Sequence, residues 1–167
     1  MNLRNLSIQQ GELTLTALLE GPADGPVLML VHGFPDTPHS WDAMVPVLVD
    51  AGYRVLRPWL RGYTPGSVHP NGVYSPVAAG QDLLLWREQF PESPVHLVGH
   101  DWGAVAAMAI AARQPLAFAS LCVLAIPPFQ KVERAWRLLP RQLVYSRYML
   151  EMQADSAPLR IVQNKIG

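Results

Sequence analysis

The sequence predicts an α/β fold in which a mostly parallel sheet carries helices on both faces. Two observations lead there. From residue 27 onward, strand-like runs alternate with helix-like ones, the order that builds parallel βαβ units. The run Val27-Leu28-Met29-Leu30-Val31 is apolar without alternation, which suits a strand covered on both faces. Composition permits such a fold. The chain has 167 residues, half of them hydrophobic and only 16% charged, enough for one real core and too apolar for disorder.

The elements follow in order. Leu3 to Gln9 and Leu13 to Glu20 read as two strands joined by a turn at Gly11. Gly21-Pro22-Ala23-Asp24-Gly25 is turn chemistry, and the apolar run then ends at His32-Gly33. Ser40 is read as an N-cap, with Trp41, Met44, Val45 and Leu48 at helical spacing and Gly52 as the terminating glycine. Tyr53 to Leu56 forms a short strand, and a Pro/Gly-rich loop runs from Arg57 to about Tyr74. Ser75 caps a helix through Gln89, with Leu83, Leu84, Trp86 and Phe90 as its apolar contacts. Pro94 to Val98 is a buried strand, and Ala104 to Ala112, small and apolar all round, a buried helix. Ala117 to Ile126 is the last strand, stopped by Pro127-Pro128. From Lys131 the chain is richer in Arg, Met and Gln and reads as helical. The expected domains are therefore a core at 1–128 and the beginning of an added helical segment at 129–167.

Several classes of function are disfavoured. A formal net charge of zero offers no basic field for nucleic acid or an anionic membrane. No apolar run approaches the roughly 18 residues that cross a bilayer, and the first residues lack a secretory apolar stretch. The lone cysteine, Cys122, has no internal disulfide partner, and its neighbours Leu121 and Val123 suggest a small core residue. No His/Cys/Asp cluster has metal-ligand spacing, so neither metal nor cofactor is expected. The expected setting is the cytoplasm.

The chemistry concentrates at Val95-His96-Leu97-Val98-Gly99-His100-Asp101-Trp102-Gly103-Ala104. This is a strand, a tight turn with glycine two residues before and two after Asp101, and a small-residue helix. So sharp a turn crowds its flanks and needs small residues there, while its central side chain is held out at the carboxyl end of the sheet. The helix N-terminus adds free N–H groups and a partial positive charge. On the turn alone, Asp101 can equally be a helix N-cap. His32-Gly33-Phe34-Pro35, which begins 69 residues earlier, favours chemistry instead. Its turn can aim the Phe34 N–H into the crevice that the Trp102 N–H faces, and two converging donors make an oxyanion hole. For His32 itself the plainer role is a satisfied structural histidine.

His32-Gly33-Phe34-Pro35, Arg61-Gly62-Tyr63 and Gly99-His100-Asp101-Trp102-Gly103, in that order and spacing, resemble an α/β-hydrolase of the epoxide hydrolase and haloalkane dehalogenase branch. The resemblance covers Leu3 to about Phe129 well and the remainder weakly. It implies a cis Phe34-Pro35 bond and Asp101 as a nucleophile that attacks an sp3 carbon and forms an alkyl ester. A histidine-activated water then hydrolyses the ester, with the oxyanion held by the Phe34 and Trp102 N–H groups. Phe34, Pro35 and Trp102 are the implied substrate contacts, and the substrate is a small epoxide or alkyl halide. Haloalkane dehalogenases usually carry Asn at the Phe34 position, and haloacetate enzymes Arg at the Trp102 position. Phe34 together with Trp102 is the epoxide hydrolase pairing.

The sequence departs from that pattern in three places. All five histidines, His32, His39, His69, His96 and His100, precede or adjoin Asp101, whereas the family's catalytic histidine and its carboxylate partner follow the lid. The loop after the fourth strand usually reads Asp-x-Arg-Gly, but here Trp59 stands at the first position, so a supporting carboxylate is expected to be absent. Family lid tyrosines protonate the opening oxygen. Tyr148 is the candidate donor, with Tyr145 nearby, and packing within the lid is the plainer role for both. The chain is therefore expected to be C-terminally truncated, able to form the ester but not to complete turnover, and to self-associate through an exposed sheet edge. The alternatives are a haloalkane dehalogenase-like hydrolase and a non-catalytic remnant acting as a binding or interaction module. A serine esterase has no Gly-x-Ser-x-Gly to support it.

Overall fold

A computed structural model describes residues 3–127. Strand β3, Val27–Val31, is central because its side chains are apolar on both faces. The other strands are β1 (Arg4–Gln10), β2 (Leu13–Glu20), β4 (Arg54–Pro58), β5 (Val95–His100) and β6 (Ser120–Leu124), in the spatial order β1-β2-β4-β3-β5-β6. β3 pairs parallel with β4 and β5, and β5 with β6, while β1–β2 and β2–β4 are antiparallel. The sheet is mostly parallel, as expected, with an antiparallel hairpin at one edge.

Alternation along the strands builds two apolar layers. Val27, Met29, Val31, Leu56 and Leu97 meet helices α2 (Pro76–Glu88) and α3 (Trp102–Arg113) through Ala79, Leu83, Trp86, Ala107 and Ile110. Leu30 and Val55 meet Trp41 and Val45 on the opposite face. Helices thus cover both faces, and Met1–Ile126 forms one compact unit.

Two expectations are corrected. Ser40 caps no helix: a 3₁₀ turn spans Pro38–Trp41, and helix α1 runs only Val45–Asp50. Pro46 explains this, because it lacks an N–H and would clash inside a helix begun at Trp41, yet it fits the first turn of one begun at Val45. Cys122 is exposed and not a core residue. It lies on β6, which among the described residues pairs only with β5 and forms the sheet's second edge. Ser75 does cap α2, its side chain accepting the Ala78 N–H at 3.2 Å. Tyr145 and Tyr148 lie outside the described residues, as do Glu133, Glu151 and Asp155, acids of the lid-like segment whose expected role is solvated or on the lid surface.

Candidate active site

The β5–α3 turn determines what Asp101 can do. A Cβ on Gly99 would lie 2.6 Å from the Gly103 carbonyl oxygen, and one on Gly103 2.5 Å from the carbonyl oxygens of Val31 and His32. Only glycines allow so close an approach of β3, β5 and α3. Asp101 itself adopts φ 49° and ψ −119°, a left-handed backbone that few non-glycine residues take. Its side chain caps nothing in α3. The Phe34 N–H donates instead to Asp101 Oδ1 at 2.9 Å, across 67 residues of sequence. The N-cap reading of the turn fails on these two observations.

The partner loop is shaped for that bond. Gly33 lies so close to Asp101 that a Cβ there would be 2.7 Å from Oδ1, and the Phe34–Pro35 peptide is cis, as the resemblance implied. His32 is fully buried. Its Nε2 accepts the Leu60 N–H at 3.1 Å, and its ring meets the Tyr63 ring edge to face at 4.7 Å between centroids. Burial lowers its pKa, against smaller opposing contributions from the Gly33 hydrogen bond and Asp36. A neutral, satisfied histidine holds the turn, as its plainer role required. Of the two expected oxyanion donors, the Phe34 N–H is bonded to the carboxylate. The Trp102 N–H opens α3, where a helix has no internal acceptor for it.

The Arg61-Gly62-Tyr63 motif forms the adjoining wall. Arg61 is 7% exposed and makes a bidentate pair with Asp82 on α2, Nε to Oδ2 at 2.7 Å and Nη2 to Oδ1 at 2.6 Å. It also donates to the carbonyls of Val73 and Ala78 and to Gln10 Oε1. A carboxylate partner therefore exists, from a helix rather than from the expected position before the arginine. Sequence reasoning misses Asp82, although a signal was present. It is the one acidic residue in the first three turns of α2, and it shares the Ala79, Leu83 and Trp86 face. Burial pushes the Asp82 carboxyl up, against the opposing pull of Arg61. Tyr63 is pushed up to about 12 by burial and by the negative charges of Asp101 and Asp36, so its hydroxyl stays a neutral donor. Trp59, at the position of the usual carboxylate, instead sets its ring edge to face against His32 and His39.

These pieces enclose a cavity of about 420 Å³ lined by Phe34, Leu60, Arg61, Gly62, Tyr63, Tyr74, Pro76, Ala79 and Trp102. Its lining includes Phe34 and Trp102, the two residues expected to flank the nucleophile, and Tyr63, on which the charge of Asp101 acts. Among the described residues no group of His, Cys, Asp and Glu could hold a metal ion. No described helix is long and apolar enough to cross a membrane.

Residues 26–148 match the model of the alpha/beta hydrolase fold family. The chain belongs to that family. It is 33% identical over 148 residues to the AB hydrolase superfamily protein YfhM of Bacillus subtilis, covering 87% of this chain and 51% of that one. It is 39% identical over 115 residues to epoxide hydrolase A of Mycobacterium tuberculosis, covering 66% of this chain and 35% of the relative. Among solved structures, epoxide hydrolase A from Mycobacterium thermoresistibile superposes with a TM-score of 0.70 at 29% identity, over 83% of this chain and 45% of that one. The chain thus spans about half the length, or less, of the relatives it matches.

Proposed function

We propose that this hydrolase opens epoxides by forming an alkyl ester on Asp101. One observation carries the reading. The Asp101 carboxylate is held on a strained turn, with Oδ1 taken by the Phe34 N–H and no cap bond, next to an apolar cavity whose wall includes its neighbours Phe34 and Trp102. A carboxylate used only to stabilise α3 needs none of this. Oδ2 attacks a ring carbon, the carbon–oxygen bond breaks, and the departing oxygen takes a proton from a hydroxyl or water in the cavity. The product is a β-hydroxyalkyl ester of Asp101. Its carbonyl oxygen stays on the Phe34 N–H, with the Trp102 N–H as the second donor when water attacks. Likeness to proteins named epoxide hydrolases supports this choice of electrophile.

Hydrolysis of the ester needs a base, and among the described residues no histidine hydrogen-bonds Asp101. The first half-reaction is the one we assign to these 167 residues. Styrene oxide should therefore add once to the protein and persist, and Asp101→Asn should not react. The experiment is best run in a Cys122→Ser background, since Cys122 is exposed and a thiol is a competing nucleophile for epoxides. Equal labelling of Asp101→Asn would remove the nucleophile from this account. Haloalkane dehalogenation is the second reading, favoured by the half-exposed Trp102 side chain beside the cavity, whose indole N–H can face a halide. Release of bromide from 1-bromobutane in a single turnover would select it.

A further inference from the structure

The cavity beside Asp101 has a chemical character of its own. Among its described lining residues four are aromatic: Phe34 and Trp102 flank the carboxylate, while Tyr63 and Tyr74 come from the loop between β4 and α2. The one charged side chain among the described lining residues is Arg61. Its guanidinium is committed to Asp82, Gln10 and two carbonyls, so the described lining residues offer no free cation to an anionic ligand. A carboxylate entering here would also meet the negative charge of Asp101, which already acts on Tyr63 in the cavity wall.

The Tyr74 wall is fixed from three sides. Its hydroxyl accepts the His69 N–H at 3.0 Å. Its ring rests on Gly62, where a Cβ would come within 2.9 Å of Cε1. The carbonyl of the preceding Val73 is held by Arg61 Nη1 at 3.0 Å. A wall so anchored is preorganised, and a ligand does not have to order it on binding.

We propose that this cavity is the subsite for an uncharged aromatic substituent of the substrate, and that Tyr74 is its specificity-determining wall. The proposal rests on the reading of Asp101 as nucleophile, so it is tested by one arm without covalent chemistry and one with it. In the first arm, 1-phenylethane-1,2-diol and phenylacetate are titrated against the 167-residue chain by ligand-observed NMR. The diol should bind about tenfold more tightly than phenylacetate, and Tyr74→Ala should weaken the diol by about fivefold, the range that an aromatic contact supplies. Tyr74→Phe, which keeps the ring, should retain most of the affinity. Should Tyr74→Ala fail to fold, Tyr74→Leu keeps the bulk and removes the aromatic face. Equal binding of the two ligands, or no loss in the Ala or Leu variant, overturns the proposal.

In the second arm the rate of Asp101 esterification is compared for styrene oxide, 1,2-epoxyhexane and oxirane-2-carboxylate. Styrene oxide should react fastest and the carboxylate slowest. Equal rates for all three overturn the subsite and leave the nucleophile standing. Diol binding that depends on Tyr74, with no ester from any of the three epoxides, overturns the nucleophile and leaves the subsite standing.

Discussion

At Asp101 the chain holds a non-glycine residue at φ 49° and ψ −119° without using its side chain to cap the helix that follows. Such backbone costs about 1–3 kcal/mol and persists where something else requires it. Asp101→Gly should therefore keep or raise the melting temperature, because glycine takes this conformation freely. A loss of stability in that variant would make the carboxylate structural. His32 supplies a second test. Burial holds its folded pKa below the ordinary histidine value of 6.5, so the unfolded chain binds the proton first as pH falls. The stability this contributes is complete above pH 6.5 and is lost as pH drops toward the folded pKa, at up to about 1.4 kcal/mol per pH unit. Protonating Nε2 would also remove the acceptor of the Leu60 N–H. Denaturant melts between pH 7.5 and 5 should show this decline, and His32→Gln should flatten it.

At the scale of elements, the strand-turn-helix corner and the Arg61–Asp82 pair hold the site together. Gly103→Val drives side-chain atoms into the Val31 and His32 carbonyls and should cost several kcal/mol whatever Asp101 does, in the range of severe strain mutants. Arg61 ties the loop before α2 to the helix itself, and Asp82→Ala leaves its buried guanidinium without a counter-charge. That should cost about 3–5 kcal/mol in a melt, against about 1 kcal/mol for the cap deletion Ser75→Ala. The sequence made the strands, the corner and the Ser75 cap legible, because apolar runs, paired glycines and a serine before a proline are local signals. It hid what depends on distant partners. Asp82 looked like one polar residue on a helix until Arg61, 21 residues away, was placed beside it. Pro46 was a local signal that the spacing of Trp41, Met44, Val45 and Leu48 concealed. Cys122 sat in an apolar strand, and its exposure depends on β6 lying at an edge, which strand composition does not reveal.

At the scale of the whole molecule, the sheet's two edges differ. β1 alternates and turns polar side chains outward, whereas β6 exposes Leu121 at 40%, Leu124 at 41% and the thiol of Cys122. Among the described residues β6 pairs on one side only, leaving backbone donors and acceptors open to another strand. We expect the chain to associate with itself through this edge as concentration rises. Size-exclusion chromatography with light scattering should show dimers or larger species, and Leu121→Lys should shift the population toward monomer. A monomer at all concentrations would show that the edge is protected.

The most direct test of the account is where a single epoxide goes. The chain is incubated with styrene oxide, digested, and its peptides sequenced by tandem mass spectrometry. The account predicts a β-hydroxyalkyl ester on Asp101, in the peptide containing Gly99 to Gly103, and its loss in Asp101→Asn. Label confined to Cys122 or the histidines, with Asp101 unmodified after prolonged exposure, would contradict it.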